Sequence, residues 1–302
     1  MITRRDFIAA MSAAGVTATG PSLAFAKEQM PSRPIPSTGE LLPVVGLGSS
    51  KVVSQVSANG TEPLAAVLRA LVARGGSVID TWPRDPENDA GLGRVLNEPD
   101  FRDALFVTSK IDQAGKEAGV QQFRETQRLY GKEKIDLVQV FNLVDLETQW
   151  SNLQDWKAAG HARYIGVTVS KYDLYEQLED FLGRVTPDFV QMNYSITERR
   201  AEARLLPLAR DMGLGVLINR PFMNGAYFRR LKGRPLPEWA AEFDCASWAQ
   251  FSLKYILAHT AITCVLTETS NPRHMDENAA SSIGRMPDEA ARRRMREFID
   301  QV

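Results

Sequence analysis

The regular alternation of β-rich and helical runs, from about residue 42 to the C-terminus, is the sequence feature that most restricts the fold. The helical runs carry apolar residues three and four positions apart, whereas the β-rich runs are apolar on both faces. Candidate strands occupy residues 42–47, 77–80, 105–110, 135–142, 163–168, 187–194, 215–220 and 262–267. Candidate helices between them include residues 63–74, 119–130, 149–159, 172–182, 201–212 and 246–258. Glycines at 75, 131, 160 and 213 stand where helices should end.

Eight strands with seven intervening helices and a last helix predict a single-domain α/β protein, a (β/α)8 TIM barrel spanning residues 42–302. An open doubly wound sheet is the alternative, and it should carry a glycine-rich phosphate turn between a strand and a helix. The nearest candidate, at residues 46–50, lacks the third glycine and a prompt helix. Residues 27–41 contain several Pro, Ser and Gly residues and are predicted to be an extended lead-in.

The N-terminus has the pattern of an export signal. Arg4 and Arg5 are followed by Phe7 and a modest apolar stretch, as in a twin-arginine signal. Residues 24–26, Ala-Phe-Ala, form a small-x-small cleavage site. We therefore expect residues 1–26 to be a signal peptide, the twin-arginine export machinery to be a partner, and the mature protein to be periplasmic. A cytoplasmic amphipathic helix is the alternative.

Composition excludes several classes of function. The 36 basic and 37 acidic residues nearly cancel, which argues against a nucleic-acid-binding protein. Beyond the N-terminus, no apolar run reaches the roughly 18 residues that a membrane span needs. The two cysteines, Cys245 and Cys264, are interpreted as buried small hydrophobic residues, although a disulfide remains open. The three histidines lie far apart in sequence, so no metal site is expected.

An ordered set of motifs resembles the aldo-keto reductase family. Motifs resembling the family's eight strand ends occur, in order, at residues 45–49, 78–81, 106–110, 135–142, 163–167, 191–195, 215–221 and 270–278. Each motif alone is weak, but the ordered set covers the chain from about residue 42 onward. The resemblance implies the TIM barrel that the alternation also predicts. It further implies hydride transfer between NADPH and a carbonyl compound.

The resemblance also implies four catalytic positions at the carboxyl ends of barrel strands. The family uses a tyrosine as general acid, tuned by a lysine and an aspartate, and a histidine that orients the carbonyl. Asp80 and Lys110 match the aspartate and the lysine. The tyrosine position holds Asp85, in a register that Gly93 supports, and the histidine position holds Phe141.

These two substitutions predict impaired or altered catalysis. An aspartate with an ordinary pKa of about 3.9 carries no proton at neutral pH, and Phe141 has no donor. Loss of the acid costs about 10²–10⁴ in rate, and loss of the polarising donor about 10²–10³ more. A proton shared between Asp80 and Asp85 would offer a way around this loss. Two structural interpretations also stand: Asp85 as part of a solvated helix start, and Asp80 with Lys110 as an ion pair retained for packing.

The resemblance implies NADP as the cofactor and assigns its contacts. The nicotinamide contacts are Thr168 and Gln191, and the pyrophosphate contacts are Asn219 and Arg220. The contacts to the adenosine and its phosphates are Thr269, Arg273 and Asn278. Glu268 departs from the family, which prefers glycine or lysine at this position. A carboxylate there would repel the phosphates of the cofactor. Trp82 either lines the pocket or covers the barrel mouth.

Three hypotheses therefore remain. The first is an NADP-dependent oxidoreductase acting on a small-molecule carbonyl, with impaired or altered catalysis. The second is a non-catalytic protein that binds a cofactor or another small ligand in the cleft. The third is an interaction domain without a ligand. Cofactor titration separates the second from the third, and turnover with a panel of carbonyl substrates separates the first from the second.

Overall fold

A closed barrel of parallel strands forms the centre of the protein. The structure, a computed structural model, describes residues 28–302. The barrel strands are β3 (Val45–Gly48), β4 (Val78–Asp80), β5 (Phe106–Ile111), β6 (Ile135–Phe141), β7 (Ala162–Thr168), β8 (Phe189–Asn193), β9 (Gly215–Asn219) and β10 (Cys264–Glu268). Consecutive strands pair in parallel, and β10 closes the barrel against β3. The predicted TIM barrel is therefore confirmed.

Helices follow the strands and cover the outside of the barrel. Within residues 28–302 the α-helices are α1 (Ser50–Val53), α2 (Val56–Asn59), α3 (Glu62–Val72), α4 (Pro86–Leu96), α5 (Lys116–Tyr130), α6 (Leu146–Ala158), α7 (Tyr175–Leu182), α8 (Leu205–Asp211), α9 (Ala226–Arg230), α10 (Trp248–Leu257), α11 (Pro272–Ala280) and α12 (Glu289–Gln301). Short 3-10 turns precede α7 and α8, where the sequence predicts continuous helices at 172–182 and 201–212. Gly75 and Gly131 adopt the left-handed φ values of 78° and 61° that helix ends at these positions require.

A β-hairpin closes the amino-terminal end of the barrel. Strands β1 (Ser32–Pro34) and β2 (Leu41–Pro43) pair antiparallel, so the predicted lead-in at 27–41 and the first strand at 42–47 need correction. The predicted strand is divided between β2 and β3, and Pro43, which has no N–H to donate, ends the first piece. Ile35 and Leu42 pack with the lowest layer of interior side chains. The hairpin thus leaves only the carboxyl end of the barrel open.

The barrel interior changes from apolar to polar along the strands. Near the hairpin it contains apolar side chains that include Phe106, Leu137 and Phe189. Toward the carboxyl ends of the same strands it contains Lys110, Gln139 and Gln191. Polar side chains therefore converge on the open end of the barrel, where TIM-barrel chemistry takes place.

The C-terminal helix α12 packs one of its faces against the rest of the protein. Met295 and Ile299 are buried, and the buried guanidinium of Arg292 donates to the Tyr194 hydroxyl and the Glu202 carboxylate, both at 2.9 Å. Only one face of the helix is polar, as its amphipathic pattern predicts.

Other sequence predictions concern the cysteines and the termini. Cys245 and Cys264 are both buried and free, in agreement with their interpretation as small core residues. Within the described residues, no helix is both long enough and apolar enough to cross a membrane. The predicted signal peptide at residues 1–26 lies outside the described residues.

Candidate active site

A buried ion pair forms the floor of the site. The Lys110 ammonium, at the end of β5, lies 2.6 Å from the Asp80 carboxylate at the end of β4. The same carboxylate accepts hydrogen bonds from the Thr108 hydroxyl at 2.6 Å and from the Gln191 side-chain amide at 3.3 Å. These residues sit on neighbouring or facing strands, so barrel closure brings them together although they are far apart in sequence.

Lys110 retains a donor that can point into the site. Its ammonium also donates to the Thr81 carbonyl at 2.8 Å, so the described residues accept from two of its three N–H groups. The side chain is only 5% exposed, and burial lowers the pKa of Lys110 below its ordinary value, while the Asp80 charge opposes this shift. A lowered pKa makes the ammonium a stronger proton donor.

A cavity of about 540 Å³ opens above this pair. Its walls combine aromatic rings with charged and amide groups. Lining residues include Lys51, Trp82, Arg84, Phe141, Ser170, Gln191, Asn219, Arg220, Phe222, Phe228 and Glu268, in addition to Asp80 and Lys110. The volume suits a small molecule, and the polar groups would orient it.

Asp85 does not contribute to this cavity. It is the N-cap of α4, where its carboxylate accepts the backbone N–H of Asn88 at 2.9 Å. The side chain is exposed and borders a separate small pocket that Thr81, Trp82 and Tyr130 also line. The hypothesis that Asp80 and Asp85 share a proton is therefore wrong, because Asp80 is paired with Lys110 and Asp85 caps a helix. The interpretation of Asp85 as part of a helix start is confirmed.

Phe141 belongs to an aromatic wall. Its ring lies 4.0 Å from that of Trp82, at an interplanar angle of 34°. The Trp82 indole N–H donates to Asp112 at 3.0 Å, which holds this ring in place. Trp82 therefore lines the pocket, which decides between the two interpretations of this residue. Neither ring presents a donor that would replace the imidazole of the histidine position.

Of the four contacts predicted for the nicotinamide and the pyrophosphate, three line the main cavity and one does not. Gln191, Asn219 and Arg220 are at its surface, whereas Thr168 is fully buried and absent from its lining. Among the described residues, the Gln191 Oε1 and Asn219 Oδ1 atoms are buried without a hydrogen-bond partner. Such atoms normally have a partner, so a ligand with N–H groups would satisfy them. Ser170, two residues beyond Thr168, takes the lining position instead.

A second cavity of about 360 Å³ adjoins the first and shares Phe222, Phe228 and Glu268 with it. Thr269 and Asn278 line it, as the resemblance implies for an adenosine site. Arg273 does not: its side chain is exposed and lies outside both cavities. Arg273 follows Pro272 at the start of α11, where its backbone N–H donates to the Asn271 side chain at 3.0 Å.

Glu268 lies between the two cavities. Its carboxylate accepts the backbone N–H of Lys51 at 2.9 Å, and the side chain is exposed. The negative charge of the Glu268 carboxylate therefore lies where the two cavities meet. A phosphate that spans them would be repelled by Glu268 and attracted by Lys51 and Arg220.

The sequence prediction missed Lys51, Arg84, Ser170 and Phe228 as lining residues. Arg84 and Ser170 follow barrel strands by two to four positions, which is the signal that could have identified them. Phe228 lies in the helix α9 beyond β9, and no local pattern in the sequence marks it.

Comparison with known proteins agrees with this architecture. The model of the "Aldo/keto reductase family" matches residues 44–295. Aldo-keto reductase YhdN from Bacillus subtilis is 25% identical over 227 residues, which cover 70% of this chain and 66% of that protein. An uncharacterized oxidoreductase, YrpG, from the same organism is 34% identical over 103 residues, 30% of each chain. The chain thus spans less than two thirds of the length of the curated relatives it matches.

Solved structures show the same fold. An aldo/keto reductase from Klebsiella pneumoniae, in complex with NADP and acetate, has a TM-score of 0.75 at 20% identity, with coverage of 90% of this chain and 95% of that one. The holo form of the aldo-keto reductase AKR11C1 from Bacillus halodurans has a TM-score of 0.72 at 19% identity, with coverage of 89% and 96%. At such identities the likeness is one of fold alone.

Proposed function

The chain belongs to the aldo/keto reductase family, and we propose that it is an NADP-dependent oxidoreductase whose carbonyl chemistry is strongly slowed or altered. The observation that carries this proposal is the arrangement above the barrel floor. The Asp80–Lys110 pair and Gln191 face a ligand-sized cavity, while Asp85 caps a helix outside it and Phe141 packs on Trp82. This arrangement supports a cleft that keeps the family framework without the tyrosine as its proton donor.

The groups of the cleft fit NADP at the nicotinamide end. Gln191 Oε1 and Asn219 Oδ1 lack partners among the described residues, and a carboxamide offers N–H groups of the kind they need. Arg220 and Lys51 would face the phosphates, and Asn278 and Thr269 the adenosine. Glu268 opposes the phosphates and weakens this fit without removing it. The Klebsiella pneumoniae relative was crystallised with NADP, which supports the same cofactor.

When bound, the reduced cofactor supplies a hydride, and the residues of this chain must supply the proton and orient the carbonyl. Lys110 is the best-placed donor, because its third N–H is not engaged by the described residues and burial lowers its pKa. Asp80 holds the ammonium in position. A buried ammonium that is paired with a carboxylate is a poorer proton donor than the tuned tyrosine hydroxyl of the family. We therefore expect the rate of carbonyl reduction to remain low.

A non-catalytic binding protein is the second candidate. The observation that favours it is the tilted contact of Phe141 with Trp82, which places an apolar ring at the position where the family has its orienting histidine. Such a protein would bind the cofactor or another small ligand without turnover. It would differ from the first candidate only in the complete absence of substrate reduction.

The experiment begins with the mature protein and NADPH or NADP. Nicotinamide fluorescence and protein fluorescence quenching report binding, and a panel of aldehydes and ketones reports turnover. Saturable binding with slow turnover supports the proposal, and saturable binding without turnover supports the second candidate. Absence of binding would contradict both.

A pair of double variants then tests why turnover is slow. Asp85→Tyr with Phe141→His restores both family side chains. Asp85→Phe with Phe141→His is the matched control, because it differs only in the tyrosine hydroxyl. Faster reduction in the first variant alone would identify the missing proton donor as the cause. Equal rates in both variants would contradict this explanation.

We also propose that the protein is exported to the periplasm through the twin-arginine route, on the strength of Arg4, Arg5 and the cleavage site at residues 24–26. The test is fractionation of cells that express the full chain. Periplasmic protein starting near Lys27 is expected, and replacement of both arginines by lysine should retain it in the cytoplasm. Periplasmic protein from that variant would contradict the proposed route.

A further inference from the structure

Arg84 is held on the aromatic wall of the main cavity. Its guanidinium carbon lies 3.6 Å from the centroid of the Trp82 ring, a close cation–π contact. Trp82 is itself fixed, by Phe141 at 4.0 Å and by its indole hydrogen bond to Asp112. The guanidinium therefore rests on a rigid platform, and its position is defined although the residue is exposed.

The N–H groups of this guanidinium have no acceptor among the described residues. Three carboxylates are near enough to affect Arg84 electrostatically, those of Glu268, Asp112 and Asp89. Each has another partner: Glu268 accepts the backbone N–H of Lys51, Asp112 accepts the indole N–H of Trp82, and Asp89 accepts the backbone N–H of Arg84 itself. The planar donor edge of Arg84 is thus free to bind a ligand.

Arg84 and Lys110 line the same cavity. They are close enough that the charge of Arg84 contributes to the lowered pKa of Lys110, after the larger effect of burial. Of the charged residues at the cavity surface, Lys51, Arg84, Lys110 and Arg220 are cationic, and only Asp80 and Glu268 are anionic. Since Asp80 is already paired with Lys110, the remaining charged residues at the cavity surface carry a net positive charge.

We propose that Arg84 forms an anion subsite, and that the ligand of this cleft is a carbonyl compound bearing a carboxylate. A guanidinium edge matches a carboxylate in a bidentate geometry, which a lysine in this position would not provide. The free N–H of Lys110 would meet the carbonyl oxygen, and Trp82 and Phe141 would contact the apolar body. That this ligand is reduced as a substrate rests on the proposed function, whereas its binding site does not.

Phenylglyoxylate is the probe, because it joins a carboxylate, a ketone and an aromatic ring. Its methyl ester is the matched control, since it retains the ketone and the ring but has no charge. Calorimetric titration of the mature protein should give a dissociation constant at least roughly tenfold lower for the acid. In the Arg84→Gln variant, binding of the acid should weaken roughly 10- to 100-fold and that of the ester should not change.

Arg124→Gln is the control variant, because Arg124 lies on α5, away from both cavities. It should bind the acid like the unmodified protein. The melting temperature of each variant checks folding, and the Arg84→Gln value should fall only slightly, because the side chain forms no ion pair with the described residues and loses only its cation–π contact with Trp82. Equal affinity for acid and ester, or an unaltered affinity for the acid in Arg84→Gln, would overturn the proposal.

NADPH titration of the same variants separates this proposal from the proposed function. Arg84→Gln should bind NADPH normally. If NADPH does not bind the unmodified protein but the acid still binds through Arg84, the anion subsite stands and the oxidoreductase assignment fails. If Arg84→Gln loses NADPH affinity and keeps affinity for the acid, Arg84 belongs to the cofactor site and the anion subsite is refuted.

Discussion

Replacement of Lys110 by methionine should strongly destabilise the protein, because it leaves the Asp80 carboxylate without its counter-charge. The ammonium and carboxylate are 2.6 Å apart, and their side chains are 5% and 12% exposed. At an effective dielectric constant of about 20, this attraction is roughly 6 kcal/mol. Thr108 and Gln191 would still donate to Asp80, so we expect a net loss of about 3–5 kcal/mol in the free energy of unfolding.

The double variant Asp80→Asn with Lys110→Met removes both charges and should recover most of this loss. A buried ion pair contributes little net stability relative to neutral groups of similar size, because desolvation offsets the attraction. We therefore expect the double variant to lie within about 1 kcal/mol of the unmodified protein. It should nevertheless lose any remaining carbonyl reduction, since no donor is left at the cavity floor. Such a result would show that the pair is retained for chemistry and not for packing.

Urea denaturation followed by circular dichroism and tryptophan fluorescence measures these differences. Lys254→Met is the matched control, because Lys254 is also buried but donates to the carbonyls of Ile283 and Arg285, away from both cavities. It should lower stability and leave NADPH binding unchanged. A Lys110→Met variant as stable as the unmodified protein would refute the ion-pair reasoning. A double variant as unstable as Lys110→Met would show that the two charges are not coupled.

Three further predictions concern the α4 region. Asp85→Ala should cost about 1 kcal/mol of stability through loss of the helix cap, Asp85→Asn should cost less, and neither should alter NADPH affinity in a fluorescence titration. Gly93→Ala should cost about 3 kcal/mol in urea denaturation, because its Cβ would lie 1.9 Å from the Leu129 carbonyl oxygen; an unchanged midpoint would contradict this packing. Burial raises the pKa of Asp89 to about 6, so the contribution of Asp89 to the stability of the unmodified protein should fall as pH rises from about 4 to 6. Asp89→Asn should remove that fall, giving melting temperatures that are higher than those of the unmodified protein above about pH 6 and similar to them below about pH 4.

The sequence predicted the barrel because its strands and helices alternate without interruption and each strand is apolar on both faces. The hairpin escaped prediction for a physical reason. Its second strand runs directly into β3, and both are β-rich, so the break at Pro43 produces no change in periodicity. Only the burial of Ile35 and Leu42 against the lowest interior layer shows that these residues close the barrel.

The floor of the site could be predicted from the family resemblance, because Asp80 and Lys110 match the family's aspartate and lysine at the ends of neighbouring strands. For position 85 the sequence left two interpretations, the family's tyrosine position and the start of a helix, and the structure agrees with the second. An aspartate that precedes a helix turns its carboxylate to the free N–H groups of the first turn, and Asp85 does so at the start of α4. The contact between Arg84 and Trp82 depends on rotamers, which the spacing of residues in a sequence does not specify.

The most direct test of the central claim is single-turnover oxidation of NADPH bound to the purified protein, with a simple aldehyde at saturating concentration. Enzymes typically turn over at about 10 s⁻¹, and loss of the proton donor costs about 10²–10⁴. We predict that NADPH binds and is then consumed at less than about 0.1 s⁻¹. Consumption at about 1–10 s⁻¹ would show that the site retains an effective acid and would contradict the loss of the proton donor.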